Sequence, residues 1–366
     1  MIILDFQIPY RTSRPMKRLL KYAASLVLSL IIIILLFLLA ATLTDFRPEE
    51  KISCEVTGRA EGRMPSDSIF TVQTWNLGYF GLGKDNDFFY DGGKMTRPSR
   101  ENYLLCSKAG VDYISNSPKS DFYFFQELDL DSKRSYHDDQ LNRLMSALPG
   151  FQACVALNYK VFYVPLQLTD PQGKVNSGII TFSRIPSKEN TRYAFPGGFA
   201  WPVGLFMLDR CFLLSRISLG NGRDLVMINT HNDAFDDGSL RKQQMAVLKD
   251  IVLTEYGKGN YVVTGGDWNL NPPGYDPLKL ATGDPGFRIE PAIEPDFLPA
   301  DWKWAYDAAI PSNRSVAAPY HKDVTKITII DFFVVSPNIE VLDIKTEDLG
   351  FNWSDHQPVK MKFKLN

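Results

Sequence analysis

Short apolar runs alternate along the chain with clusters of glycine, proline, asparagine and aspartate, and one stretch breaks that rhythm. No charged residue occurs from position 22 to position 44, and 26–39 consists of Leu, Ile, Val and Phe with a single serine. A bilayer core takes about 20 apolar residues as helix, and a run that is apolar all round is not a one-faced surface helix. The pattern predicts one transmembrane helix at 22–44. Beyond position 68 the runs are short and β-like, at 69–75, 122–125, 179–182, 213–217, 225–230, 261–264, 327–335 and 359–363. Helical spacing is present at 100–111, 138–147 and 239–254, the last keeping Leu240, Met245, Leu248, Ile251 and Val252 near one face.

Strands therefore dominate and helices are dispersed between them, which predicts a two-sheet core flanked by helices. No internal repeat divides 69–366, so it reads as one domain with a surface insertion at 272–304. Residues 45–68, charged and rich in small side chains, read as a linker.

Charge changes this picture in two ways. The 366 residues sum to a net charge of −2, but residues 1–21 hold five basic side chains against Asp5, leaving −6 for the rest. By the positive-inside rule the basic segment 1–21 is cytoplasmic and the body lies outside, making the protein a single-pass membrane protein. A cleaved signal peptide would carry an apolar region of only about 7–15 residues, so an uncleaved signal anchor is expected. The body also lacks the basic footprint of a non-specific DNA binder, although a local groove can be basic on an acidic protein. Four cysteines, at 54, 106, 154 and 211, are too few for a disulfide scaffold and have no zinc-site spacing. They read as small buried hydrophobes or as one or two structural disulfides.

Candidate chemistry sits where apolar runs end. The run 69–75 ends at Asn76, 122–125 at Gln126-Glu127, and 225–230 at His231. The run 261–264 leads through two glycines to Asp267-Trp268-Asn269. Ile330 meets Asp331, and Trp353-Ser354 leads to Asp355-His356. Oxygen ligands beside two histidines suit a hard cation and phosphoryl chemistry. Each piece alone is an ordinary turn, cap or strand end, and their order along the chain is what argues for a site. Gly81-Leu82-Gly83-Lys84 lacks the spacing of a phosphate loop and reads as a plain loop. The aromatic stretch 195–207 reads as a packed hairpin.

These motifs resemble the endonuclease/exonuclease/phosphatase superfamily. They are Thr74-Trp75-Asn76-Leu77, Phe125-Gln126-Glu127, Ser177-Gly178-Ile179-Ile180, Asn229-Thr230-His231, Gly266-Asp267-Trp268-Asn269, Ile330-Asp331-Phe332 and Ser354-Asp355-His356. The resemblance covers nearly the whole of 69–366. It implies a DNase I-like four-layer α/β/β/α sandwich and a metal-dependent phosphoesterase using Mg²⁺ or Mn²⁺. It makes Asn76, Glu127 and Asp355 the metal residues. Asp267 and Asn269 orient water and hold the phosphate. His356 is the general base or phosphate contact, paired with Asp331, and His231 is the general acid. Asn158 corresponds to a phosphate-binding asparagine. Trp268 where Phe is commoner, and Asn232-Asp233 after His231, depart from the usual pattern at positions that substrate could touch. The substrate is left open between nucleic acid, phospholipid and a small phosphodiester, and no obligate protein partner is evident. The rival reading is a non-catalytic binding or scaffolding module on the same fold.

Overall fold

The computed structural model describes residues 14–234, 238–276 and 290–366. Part of the expected insertion at 272–304 falls outside the described residues. The chain divides into two units, 1–45 and 46–366.

The first unit is one helix, α1 (Arg14–Leu43), whose Met16–Leu43 stretch has a mean hydropathy of 3.2 and is long enough to span a bilayer. Near its end the Thr42 and Thr44 hydroxyls donate to the carbonyls of Leu38 and Ala40, which satisfies both within the chain.

The second unit is built on two seven-stranded sheets. One has the order β1-β7-β8-β9-β10-β14-β11. Its strands are β1 (Lys51–Ser53), β7 (Glu189–Ala194), β8 (Cys211–Ser218), β9 (Asp224–His231), β10 (Tyr261–Asp267), β14 (Asp331–Val335) and β11 (Lys303–Ala305). The other has the order β15-β16-β3-β4-β6-β5-β2. Its strands are β15 (Ile339–Thr346), β16 (Val359–Leu365), β3 (Ile69–Asn76), β4 (Phe122–Asp129), β6 (Gly173–Ser183), β5 (Gln152–Val164) and β2 (Val56–Gly58). Both sheets are mixed: β3–β4 and β9–β10 are parallel and the remaining neighbours antiparallel. Helices α2 (Arg100–Asn116) and α3 (Gln140–Ala147) pack on the outer face of the second sheet, and α4 (Ser239–Gly257) on that of the first. This is the expected DNase I-like α/β sandwich.

The period of two along each strand sets what lies between the sheets. Phe70 and Val72 of β3, Phe122 and Phe124 of β4, Leu225 and Met227 of β9, Val263 of β10, and Phe333 and Val335 of β14 share one apolar cluster. Trp75, Tyr123 and Phe125, at the alternate positions, pack under α2 and α3 instead. Continued along the inward face, the same parity reaches Thr74 and Asn76, then Gln126, Asn229 and His231, Gly265 and Asp267, and Asp331. The inner layer thus turns from apolar to polar towards one end. There Gln126 Nε2 donates to Asn229 Oδ1 (2.7 Å), and Asn229 Nδ2 to the Ile180 carbonyl (3.1 Å), tying sheet to sheet.

Two expectations need correcting. Residues 45–68 are not simply a linker: β1 pairs with β7 at the edge of one sheet, and β2 with β5 at the edge of the other. The run 327–335 is not one strand. Ile327–Thr328 (β13) pairs with Asn313–Arg314 (β12), and the backbone at 329–330 is taken by Asn271, Ser312 and Trp268 before β14 begins. Trp302 and Trp304 of the insertion pack in the apolar cluster under α4.

Candidate active site

The polar end of the inner layer opens into a cleft of about 490 Å³. Glu127, Asn158, His231, Asp267, Asn269, Asp355 and His356 line it. Asn76 and Asp331 lie against them from within the fold. All nine sequence-predicted residues are therefore in one place.

Local backbone explains how each arrives. Gly178 of β6 faces an irregularity on either side: β4 bulges between Phe125 and Leu128, and β5 between Leu157 and Tyr159. A bulge re-aims a side chain that strict alternation would send to the other face. Glu127 and Asn158 are the residues so turned, and Glu127 adopts a left-handed φ of 51°. A Cβ at Gly178 would stand 2.7 Å from the Ala156 carbonyl oxygen, so the Ser177-Gly178 motif marks the point where two bulges close on one strand. The glycines before Asp267 have a similar origin. A Cβ at Gly265 would meet the Phe333 ring at 2.2 Å, and Gly266, at φ 143°, sits on the backbone of Thr230.

Contacts within the cleft are dense. Asn76 Nδ2 donates to Asp267 Oδ2 (2.9 Å) and to Glu127 Oε1 (3.3 Å), while its Oδ1 accepts from the Gly78 amide. In this orientation Asn76 bridges two carboxylates and its oxygen is engaged in a turn. His231 Nε2 is 3.5 Å from Asp267 Oδ2 and 3.8 Å from Glu127 Oε1. His356 Nδ1 is 2.8 Å from Asp331 Oδ2, and Ser312 Oγ accepts from the Asp331 amide to fix that carboxylate's strand end. On the other side of the ring, Nε2 is 2.9 Å from Asn313 Nδ2, 3.8 Å from Asp267 and 3.9 Å from Asp355. The Asp267 carboxylate accepts from the Asn269 amide, and Asn269, at φ 49°, donates its side chain to the Asn232 carbonyl.

Electrostatics separate the two histidines. Burial lowers the pKa of His231, and the positive charges of Arg210, His356 and Arg134 lower it further. Burial also opposes charge on His356, but Asp331, Asp355 and Asp267 outweigh it and hold its pKa well above the ordinary value. The neighbouring carboxylates thus make His356 the stronger proton acceptor of the two, and His231 the readier to give a proton up. Burial pushes Asp355 up, and pushes Asp267 up to about 7.

A divalent cation fits this donor set. Glu127 and Asp355 face the cleft, and neither has a lysine or arginine ion pair among the described residues. Asp267, Asp331 and His356 also lie close enough to hold an ion, but the His356–Asp331 hydrogen bond accounts for that proximity. Sequence reasoning missed several neighbours. Arg134, ion-paired to Asp129 and stacked 4.0 Å over the Tyr79 ring, and Arg210 both line the cleft. Asn313 arrives on β12. Arg314 donates to the carbonyls of Leu82, Gly83 and Asn86, so the 81–84 loop collars an arginine and is indeed no phosphate cradle. Arg134, Asn313 and Arg314 follow no apolar run, the main signal used to find the others, and Arg210 follows the run 205–208 only after Asp209.

No family model matches the sequence, and no curated protein matches it. Solved structures do. An endonuclease/exonuclease/phosphatase from Bacteroides vulgatus superposes with a TM-score of 0.52 at 16% identity, covering 81% of this chain and 99% of that one. D. rerio TDP2, humanized by 14 mutations, gives 0.51 at 14% identity over 81% and 99%. ANGEL2, a 2',3'-cyclic phosphatase, gives 0.50 at 14% identity over 86% and 98%. The chain has the endonuclease/exonuclease/phosphatase fold.

Proposed function

We propose that the domain is a divalent-cation-dependent phosphoesterase that hydrolyses phosphodiester bonds, held at a membrane by α1 with its cleft outside the cytoplasm. The observation that carries this reading is the convergence of Glu127, Asp355, Asp267, His231 and the His356–Asp331 pair on one cleft. The motif resemblance supports it, as does the likeness to ANGEL2, named as a phosphatase.

Glu127 and Asp355 would hold Mg²⁺ or Mn²⁺, with Asn76 positioning Glu127. Such an ion neutralises charge developing on phosphate oxygens. The remaining chemistry belongs to the chain. Asn158 is buried with Nδ2 unpartnered, and Arg210 has Nε and Nη1 without hydrogen bonds, so both have donors to spare for a phosphate. Asp267 and Asn269 orient the attacking water. His356, fixed by Asp331, presents Nε2 to the reacting group, and His231 faces it across Asp267 to protonate the leaving oxygen. Water adds to phosphorus as the ester P–O bond breaks, and the two imidazoles carry the proton from one oxygen to the other.

The test is hydrolysis of bis-p-nitrophenyl phosphate by the full-length protein with Mg²⁺, Mn²⁺ or EDTA. Turnover with either ion that EDTA abolishes is expected. No turnover with any divalent ion would favour the non-catalytic module. For topology, a reporter enzyme fused after Asn366 is expected to be active only outside the cytoplasm, and cytoplasmic activity would refute the charge argument.

A further inference from the structure

Two segments beside the cleft expose apolar side chains without a charge among them. Neither 161–168, at the tip of the β5–β6 hairpin, nor 194–208 contains a charged residue. Leu168 is 92% exposed and Trp201 63%, and Phe162, Tyr163, Leu166 and Val203 are exposed with them. The two segments adjoin: the Tyr159 hydroxyl donates to the Phe206 carbonyl, and Phe206 and Leu208 pack on Tyr159, Val161 and Val164. At their bases Asn158, Tyr159, Met207 and Leu208 line the cleft. The expected packed hairpin is therefore half right: Phe195 and Leu205 are buried, while the stretch between them is largely exposed.

Soluble surfaces seldom expose an uncharged patch of this kind, and such patches mark contact with a protein or a membrane. The position of the patch decides between them. Phe46, the first residue of the domain, lies under Lys160, 5.5 Å from its Nζ, and beside Arg192. Lys160 precedes Phe162 by two residues. Phe46 follows Leu43, the last residue of α1, by three residues, a reach of about 10 Å at full extension. If α1 spans a bilayer, the surface of that bilayer must pass close to Phe46, and so close to the root of the hairpin. Trp and Tyr among leucines is the composition of side chains that settle at a lipid–water boundary. The net charge of −6 beyond residue 21 disfavours a polyanion as the partner instead.

From this we infer that the patch docks the domain on the bilayer that holds its own anchor, and that the substrate is the phosphodiester of a lipid headgroup in that bilayer. This rests on the phosphodiesterase reading above. The cleft opens beside the patch, so docking brings headgroups to Glu127 and His356 without extracting the acyl chains.

The full-length protein is reconstituted in vesicles of phosphatidylcholine, phosphatidylethanolamine and phosphatidylglycerol. Release of phosphorylated headgroup or of phosphatidate is followed beside hydrolysis of soluble bis-p-nitrophenyl phosphate and of a single-stranded oligonucleotide. Leu166→Ser/Leu168→Ser/Trp201→Ser should lower lipid hydrolysis roughly tenfold or more, since a contact the size of one buried leucine is worth about a factor of ten. The same variant should keep bis-p-nitrophenyl phosphate turnover within about twofold of wild type. Trp201→Phe should keep lipid hydrolysis. Brominated phosphatidylcholine should quench a component of the tryptophan fluorescence that Trp201→Phe removes. Wild-type lipid hydrolysis by the triple variant overturns the proposal, as does cleavage of the oligonucleotide with the lipids untouched. If wild type leaves bis-p-nitrophenyl phosphate intact, the phosphodiesterase reading fails and the lipid substrate with it. Quenching then still decides the docking surface, which falls if Trp201 is not quenched.

Discussion

Asp267 ends β10, and Glu255, on α4, lies beyond the other end of that strand against Asn260; both are almost inaccessible to solvent, and their carboxyl groups have moved in opposite directions. Burial pushes up both. Around Glu255 it is outweighed by Arg216, which donates to both oxygens at 2.6 and 2.7 Å, and by Lys258 and Asn260 at 2.8 Å each, so its pKa falls to about 2. Asp267 has only an amide, an asparagine and two histidines for company, with Asp331 adding a like charge, and its pKa rises to about 7. The closed end of the sheet brings its own counter-charges, while the cleft gathers carboxylates and leaves them short of cations. Uncompensated buried charge costs stability, so an arrangement of this kind makes sense where a cation and a phosphate are to be bound.

The largest effects should come from breaking the cleft's side of the contrast. Glu127→Gln and His356→Ala are each expected to lower phosphodiesterase activity by about 10²–10⁴-fold. Glu127→Gln removes a negative donor, so high Mg²⁺ should restore part of the rate. His356→Ala removes the group that Asp331 positions, and added metal should not help. Metal-titrated kinetics, with circular dichroism as a folding control, decides both. Near-wild-type rates in folded variants would remove these residues from the site.

Stability should show the contrast next. Glu255→Gln breaks a charge pair with the partly buried Arg216 and is expected to cost roughly 2–3 kcal/mol in urea unfolding. Asp267→Asn removes a buried charge that only the two histidines face, with no lysine or arginine ion pair among the described residues, so in EDTA it should cost less than about 1 kcal/mol or stabilise the domain. Equal losses in the two variants would mean that the cleft is no less compensated than the Glu255 cluster.

The cleft was more legible in the sequence than the Glu255 cluster, for a physical reason. Asn76, His231, Asp267 and Asp331 continue the inward parity of apolar strands, so periodicity alone leads to them. Glu127 and Asn158 reach the same cleft through bulges around Gly178, which break parity; Glu127 is still found at the end of an apolar run, and only the motif resemblance places Asn158. Arg134, Arg210 and Asn313 come from a turn, a strand edge and a two-residue strand, where no period exists to read. The same limit hid β1 and β2. Three residues carry no pattern, and pairing to a sheet edge, rather than local propensity, makes them strands. The Glu255 cluster joins α4 to β8 and to Asn260, just before β10, a contact set by tertiary packing.

The smallest expected effect is a change of slope with pH, and its sign follows from the direction of the Glu255 shift. Folding lowers this carboxyl from an ordinary 4.5 to about 2. The native state therefore releases its proton first, and between those values the unfolded chain binds more protons than the folded one. The stabilisation is complete above about pH 4.5, falls as the pH drops, and is gone below about pH 2. Glu255→Gln cannot titrate, so the gap between wild type and variant should shrink by roughly 1 kcal/mol for each pH step across that window. Urea midpoints at pH 6, 4 and 3 measure it. Arg216 also contacts Glu189 at 3.2 Å and Asp224 at 3.8 Å, so part of its pairing survives the substitution and the gap starts below its full value. A gap that stays constant down to pH 3 would show that Glu255 acts by shape and hydrogen bonding rather than by charge, and the contrast with Asp267 would then lose its electrostatic basis.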